Sequence, residues 1–315
     1  MLPEKIVVFG QEGLVGKSLL KQLQNSGQNI LNVPRKDLDL TSEKEVNNWF
    51  AINKPSYVYV CAGRVGGIKA NDTYPVDFIY QNSKIALNII HASYLNKVIK
   101  LLYLGSSCIY PRDCPQPIKE DYLLSGPLEK TNEPYALSKI MGINLCNSYQ
   151  RQYNCNFISA MPTNLYGPND NFDLENSHVL PAMIRKCHEG KSNVGNDIGG
   201  PYMHPIDLWG DGSAMREFLH VDDLAEATYT CMEKYDDPEP INIGTGEDVT
   251  IKQLATIIAD VVGFTGGFNW DTTKPNGTPR KVLNIDKITS LGWKPKISLR
   301  DGIKSTYKWY ETANS

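Results

Sequence analysis

Through the first half of the chain, short apolar runs alternate with amphipathic stretches. IVVFG (6–10) reads as a strand, 14–25 as a helix and NILNV (29–33) as a second strand. The pattern continues with a helix over 43–53, a buried strand over SYVYVCA (56–62) and a longer helix over 76–95. IKLLYLG (99–105) is strand again, 134–152 helix and NFISAM (156–161) strand. Runs that stay apolar and β-rich throughout, separated by helices, belong to parallel strands covered on both faces. With right-handed crossovers the expected class is α/β, a doubly wound parallel sheet.

After about residue 168 the rhythm breaks. KSNVGNDIGGPYMHPIDLWGDG (191–212) is rich in Gly, Pro and Asn, shows no clear period, and reads as loop. EFLHVDDLAEATYTCMEKY (217–235) reads as a strand followed by a helix, INIGTG (241–246) as a short strand and 251–262 as a helix, with a basic turn at PNGTPRKV (275–282). Two domains are expected. The first spans 1–170, with the chain returning to it near 217–246, and a smaller substrate-binding domain covers 171–315.

The 315 residues suffice for this arrangement and a sizeable core. A net charge of −3 gives no bulk field that favours nucleic acid or an anionic membrane. The start, MLPEKIVVFGQEG, enters a strand directly and has no signal-peptide core, and no apolar run approaches about 18 residues. Seven cysteines, odd in number and without a C-x-x-C pair, argue against a disulfide framework or a zinc site. The expectation is a cytoplasmic protein with no metal site, free of nucleic-acid or membrane partners.

Chemistry enters at the first strand–helix junction. Gly10, Gly13 and Gly16 form G-x-x-G-x-x-G there, letting backbone amides and a helix N-terminus approach a pyrophosphate. In this context the triplet points to a Rossmann-type dinucleotide site. After the second strand the chain reads Val33-Pro34-Arg35-Lys36, and two cations suit a 2′-phosphate, hence NADP(H). Tyr135 and Lys139, four apart on one predicted helix face, form a pair able to exchange a proton with a carbonyl or hydroxyl oxygen. The ammonium is expected to lower the phenol's pKa. Ser106, in GSSCIYP (105–111), supplies a second hydrogen bond to the same oxygen. Cys108 in that stretch is either a buried small hydrophobe or a proton carrier, and its surroundings alone leave both open.

The order of glycine triplet, strand-end serine and Y-x-x-x-K resembles the extended short-chain dehydrogenase/reductases that act on nucleotide sugars. More narrowly, the chain resembles the GDP-L-fucose synthase family. The likeness rests on VGGI (65–68), NDTYPVDFIYQN (71–82), LGSSCIYP (104–111) and EKTNEPYALSK (129–139), and continues through MPTNLYGPNDNF (161–172), NSHVLPAMIRK (176–186), MREFLHVDD (215–223) and KPNGTPRK (274–281). It implies NADPH-dependent conversion of GDP-4-keto-6-deoxy-D-mannose by C3/C5 epimerisation and C4 reduction, in a homodimer built through a helix bundle. Ser106, Tyr135 and Lys139 then serve the reduction, while Cys108 and His178 move the protons of epimerisation. The implied cofactor contacts are Gly10, Gly13, Leu14, Val15, Gly16, Arg35, Asp39, Leu40, Leu104, Gly105, Ser106, Lys139, Pro162, Asn164, Leu165 and His178. The implied GDP-sugar contacts are Lys186, Trp209, Arg216, Asp271 and Arg280.

Three departures from that family stand out. Glu12 occupies a position where the family commonly has arginine, which weakens the preference for a 2′-phosphate and leaves NADH usable. Lys186 replaces a two-pronged guanidinium with a point charge. The 191–208 segment is several residues longer than in close relatives. A related GDP-deoxyhexose reductase or epimerase with another product is the rival enzyme reading. A non-catalytic NADP-sensing protein would be expected to have lost Ser106, Tyr135 or Lys139, and all three are present. Arg35→Ala is expected to lower the ratio of NADPH to NADH affinity by roughly tenfold, one charge-assisted contact's worth, as measured by fluorescence titration.

Overall fold

The computed structural model describes residues 4–192, 194–197, 200–274 and 276–314. Its first half runs β1 (Ile6–Phe9), α1 (Leu14–Asn25), β2 (Ile30–Leu31), α2 (Glu43–Asn53), β3 (Tyr57–Val60), α3 (Ile68–Thr73), α4 (Pro75–Leu95), β4 (Lys100–Leu104), α5 (Glu133–Tyr153) and β5 (Asn156–Pro162). These strands pair in parallel in the order β2-β1-β3-β4-β5. Alternate residues divide two cores. Val7, Phe9, Val58, Val60, Leu101 and Phe157 face α2, α4 and α5. Ile6, Val8, Tyr59, Leu102 and Ile158 face the other way, onto α1. Both sets are almost wholly excluded from water, which is why the strands read as unbroken apolar runs.

The second half runs β6 (Asn164–Tyr166), α6 (Val179–Ser192), β7 (Val194–Asp197), β8 (Gly200–Met203), β9 (Ile206–Trp209), β10 (Met215–Arg216), β11 (Phe218–His220) and α7 (Val221–Lys234). It continues through β12 (Ile241–Ile243), β13 (Val249–Thr250), α8 (Ile251–Val262), β14 (Phe268–Asp271), β15 (Arg280–Lys281), α9 (Asp286–Ser290) and α10 (Leu299–Asn314). β12 adds to the main sheet beside β5, and α7 packs on α1. α6, α8 and α10 enclose a third core around Tyr166, Ile184, Leu254 and Ile303.

Local signals explain the helix ends. The Ser42 hydroxyl caps α2 by accepting the Glu45 N–H, and Thr250 and Gln253 form a reciprocal capping box on α8. α8 ends at Gly263, with φ 79°, where a side chain would be strained. The region expected as loop over 191–212 is instead largely ordered: β7 and β8 form an antiparallel hairpin, and β9 pairs in parallel with β14. The β7–β8 ladder, Val-Gly-Asn-Asp against Gly-Pro-Tyr-Met, carries no apolar alternation, so backbone hydrogen bonding made it where the sequence offered no period.

The two halves meet on Glu217. This fully buried carboxylate accepts the N–H groups of Thr245 (2.6 Å), Gly246 (2.7 Å) and Leu283 (3.0 Å). Its own carbonyl accepts the Asn164 amide at 2.8 Å, and its N–H donates to the Lys281 carbonyl at 3.3 Å. A Cβ on Gly244 would lie 2.2 Å from its Oε1, so only glycine fits there. Glu217→Ala is expected to cost roughly 3 kcal/mol or more, because several buried donors lose a charged acceptor together. Urea denaturation checks this, with Glu217→Gln retaining part of the loss.

Candidate active site

The strand order reverses between β1 and β3, and a ligand crevice opens at the carboxyl ends of such strands. Gly10, with φ 89°, sits there against β3's exit: a Cβ on it would lie 2.7 Å from the Ala62 nitrogen. A Cβ on Gly16 would lie 2.1 Å from the Gly10 carbonyl oxygen. The Gly13 N–H closes the turn onto that oxygen at 3.1 Å. Gly13 offers α1 no side-chain cap, so the first-turn amides of Leu14, Val15 and Gly16 keep their donor capacity for a ligand. A 12-residue helix opening this way fits a dinucleotide pyrophosphate.

Around it, Gln11 ties the glycine loop to the end of β2 through the Val33 N–H (3.3 Å) and the Asn32 side chain (2.8 Å). Glu12 accepts the Arg35 N–H at 3.4 Å, while Arg35 and Lys36 stand exposed on a short turn. The Asp39 carboxylate is held by the N–H and hydroxyl of Thr41, both at 2.8 Å, and the Leu40 carbonyl by Asn88 at 2.9 Å. Gly105 follows β4 where a Cβ would strike the Met161 sulfur at 2.4 Å. Pro162 ends β5, Leu165 pairs with Leu219 in the β6–β11 ladder, and Asn164 is committed to the Glu217 carbonyl.

Ser106 leaves β4 in extended conformation and starts a single 3-10 turn, its hydroxyl accepting the Cys108 N–H at 3.3 Å. That hydroxyl also lies near the Tyr135 phenol and the Cys108 thiol and favours the ionised form of each. Tyr135 lies in the first turn of α5, its ring met edge-on by Phe78 of α4 at 6.1 Å and 88°. Lys139, one turn along, donates to the Leu104 carbonyl at 2.8 Å and lies 4.9 Å over the Tyr103 ring. Burial pushes the Lys139 amine down to about 8, against a smaller opposite push from Cys61.

The expectation that this ammonium lowers the Tyr135 pKa is not met. Burial pushes the phenol up, the neighbouring Cys108 adds to that, and the Ser106 hydrogen bond offsets only part. Tyr135 is therefore a neutral phenol with a proton to give.

Cys108 is different. Burial pushes its thiol up, yet the Lys281 ammonium at 3.4 Å, the Ser106 hydroxyl and the Arg216 guanidinium outweigh that and leave it below the ordinary thiol value. His178 precedes α6, and its side chain is exposed. Desolvation by the surrounding protein lowers its pKa, and Lys281 pushes the same way. The segment bearing it rests on the VGGI loop: the Gly67 N–H donates to the Asn176 carbonyl at 3.1 Å, and a Cβ there would lie 2.7 Å from the Ser177 oxygen.

The remaining candidates divide. Trp209 and Asp271 are partners in the β9–β14 register, and Lys186 reaches the same edge through the Asp207 carbonyl at 2.8 Å. Trp209 is 52% exposed, with the Lys274 ammonium 5.8 Å over its ring. One Asp271 oxygen accepts the N–H and hydroxyl of Thr273, which hold its pKa below the usual carboxylate range. Arg216, half-buried on β10, shares the charges of Cys108 and Glu129. Arg280 turns away and pairs with Asp248 at 2.6 Å.

A family model for the NAD dependent epimerase/dehydratase family matches residues 6–244. The chain belongs to that family. GDP-L-fucose synthase 1 of Arabidopsis thaliana is 52% identical over 307 residues, covering 97% of this chain and 93% of that protein. GDP-L-fucose synthase of Escherichia coli (strain K12) is 47% identical over 320 residues, covering 98% and 97%. A crystal structure of a GDP-L-fucose synthetase from Naegleria fowleri bound to NADP matches with a TM-score of 0.88 at 29% identity, covering 99% of this chain and 95% of that one.

In this epimerase/dehydratase-family chain, sequence reasoning passed over four residues that shape the site: Phe78, Asn82, Glu217 and Lys281. Asn82 clamps the loop beside Lys139, accepting the Arg64 N–H at 2.6 Å and donating to its carbonyl at 3.0 Å. All four lie inside quoted motifs, Lys281 directly after Arg280. The pairing of Arg280 with Asp248 decides which of the two faces inward.

Lys139 yields a pH test. Its folded value of about 8 lies below its ordinary 10.5, so between them the folded chain holds fewer protons than the unfolded one. Its stability contribution is complete above the ordinary value and lost as pH falls through the folded one. In ligand-free protein, the stability of wild type relative to Lys139→Met is expected to rise across that window, measured by urea titration at each pH.

Proposed function

We propose that this protein converts GDP-4-keto-6-deoxy-D-mannose to GDP-L-fucose, epimerising C3 and C5 and then reducing C4 with NADPH. One observation carries the reading. The Ser106 hydroxyl, which accepts the Cys108 N–H at 3.3 Å, stands beside both a neutral phenol, Tyr135, and an acidified thiol, Cys108, and lowers the pKa of each. A reduction acid and an epimerisation base thus converge on one point, where a C4 oxygen can sit.

The C4 ketone acidifies the C3 and C5 hydrogens. The Cys108 sulfur, as thiolate, takes the C3 proton, and His178 returns one to the opposite face. Exchange with water restores both groups, and the cycle repeats at C5. Negative charge grows on the C4 oxygen in each cycle, where Ser106 and Tyr135 donate hydrogen bonds. NADPH, held by the glycine turn and the α1 amides, supplies hydride to C4 when bound. Tyr135 then gives its proton to the C4 alkoxide, making the hydroxyl, and Lys139 anchors the helix face that carries it.

The nucleotide half is assigned to the β9–β14 edge: Trp209 for stacking, Asp271 for the guanine N–H groups and Lys186 and Arg216 for the diphosphate. Asn132 keeps its side-chain oxygen buried and without a partner among the described residues, which suits a sugar hydroxyl. We assign a homodimer through α4, where Val76, Tyr80 and Leu87 leave an apolar stripe exposed. Among the described residues no helix is long and apolar enough to cross a membrane, and all seven cysteines are free, in keeping with a cytoplasmic enzyme.

The decisive assay incubates the protein with GDP-4-keto-6-deoxy-D-mannose and NADPH in deuterium oxide and identifies the sugar by NMR. GDP-L-fucose labelled at C3 and C5 is expected. Cys108→Ser should slow the labelling by at least about a hundredfold; labelling at the wild-type rate removes Cys108 from the mechanism.

A further inference from the structure

We propose that Lys281 is a third member of the epimerising apparatus: its ammonium, hydrogen-bonded to the Cys108 sulfur, holds that sulfur as the thiolate that removes the C3 and C5 protons. The proposal rests on the functional reading above and adds a residue to it.

The geometry starts with alternation along β15. Arg280 points outward and is spent on Asp248, through bonds of 2.6 and 3.3 Å. Lys281 must therefore point inward, and its Nζ lies 3.4 Å from the Cys108 sulfur. Among the described residues no carboxylate lies within ion-pair distance of Lys281. This half-buried ammonium is placed to pair with the sulfur as its anion.

The backbone fixes this contact from both sides. Lys281 is the register partner of Arg216 on β10, and its carbonyl accepts the Glu217 N–H. One residue on, the Val282 N–H donates to Gln116 at 2.9 Å, and the Leu283 N–H after it to Glu217 at 3.0 Å. The lysine thus has little backbone freedom to leave the sulfur.

The groups facing Cys108 are Lys281 on β15, Arg216 on β10, Tyr135 on α5 and Ser106 in its own turn; Arg112, Glu129 and Arg280 line the same cavity, the first two paired with each other and the third with Asp248. Tyr135 and Ser106 are neutral. Arg216 is partly engaged elsewhere, donating to the Met215 carbonyl at 2.8 Å and sharing the charge of Glu129. Lys281 is the cation in contact. Its field also reaches His178, where it makes the protonated imidazole a stronger acid. One charge thus favours both halves of the transfer: the sulfur without a proton, and the ring releasing one.

The test is the pH dependence of iodoacetamide alkylation of the full chain without substrate, with the Cys108 peptide quantified by mass spectrometry. Lys281→Met is expected to raise the Cys108 midpoint by about one pH unit or more. Lys281→Gln should match it, and Lys281→Arg should keep the wild-type midpoint. Cys155, a half-exposed thiol elsewhere on the molecule, serves as the control and should not change. With substrate, Lys281→Met should also lose at least about tenfold in deuterium incorporation at C3 and C5, carried in kcat rather than KM.

An unmoved Cys108 midpoint in both neutral variants overturns the proposal. So does a moved midpoint with undiminished labelling, or a loss confined to KM, which would make Lys281 a diphosphate ligand. Failure of the wild type to form GDP-L-fucose would instead overturn the functional reading. The alkylation arm uses no sugar and still decides whether the lysine controls the thiol.

Discussion

A carboxylate sealed from water governs the architecture. Glu217 has no solvent to turn to, so its oxygens must be satisfied by donors that the chain brings to it. The chain brings backbone N–H groups from the loop after β12 and from the segment after β15. Those two segments belong to different sheets. One buried anion thereby fixes the angle at which the short β10–β15 ladder meets the end of the main sheet, and with it the reach of Arg216 and Lys281 into the cleft. Electrostatics here is structural first and chemical second.

Much of this was legible beforehand. The parallel sheet showed itself because strands covered on both faces are apolar nearly throughout, and α1, α2 and α8 start at glycine, serine and threonine signals, with α8 also stopping at a glycine. The β7–β8 hairpin was not legible, since its residues carry no apolar alternation. Nor was the inward turn of Lys281. Arg280 and Lys281 are chemically similar neighbours on a strand of two residues, and only the position of Asp248 settles which one faces out.

The reacting groups show why spacing alone misjudges acidity. Tyr and Lys four apart on a helix suggest an ionised phenol beside an ammonium. Here the lysine satisfies a backbone carbonyl instead, and exclusion from water dominates both groups, each of which is driven toward its neutral form. A phenol that keeps its proton is the better donor to an alkoxide. The thiol escapes the same fate because it meets the Lys281 ammonium, which has no ion-pair carboxylate among the described residues.

The contact between Gly67 and the Ser177 backbone has a mechanical consequence. Ser106, Tyr135 and Lys139 all hang from β4 and α5, whereas His178 is delivered at the head of α6, a helix of the third core, and merely leans on a glycine of the first. Breathing between these bodies would stretch the gap between sulfur and imidazole and leave the serine–tyrosine–lysine set undisturbed. On the roles proposed above for these residues, isomerisation is the step exposed to hinge motion, and reduction is insulated from it. A crowding agent or a bulkier residue at that glycine should be felt by one half-reaction alone.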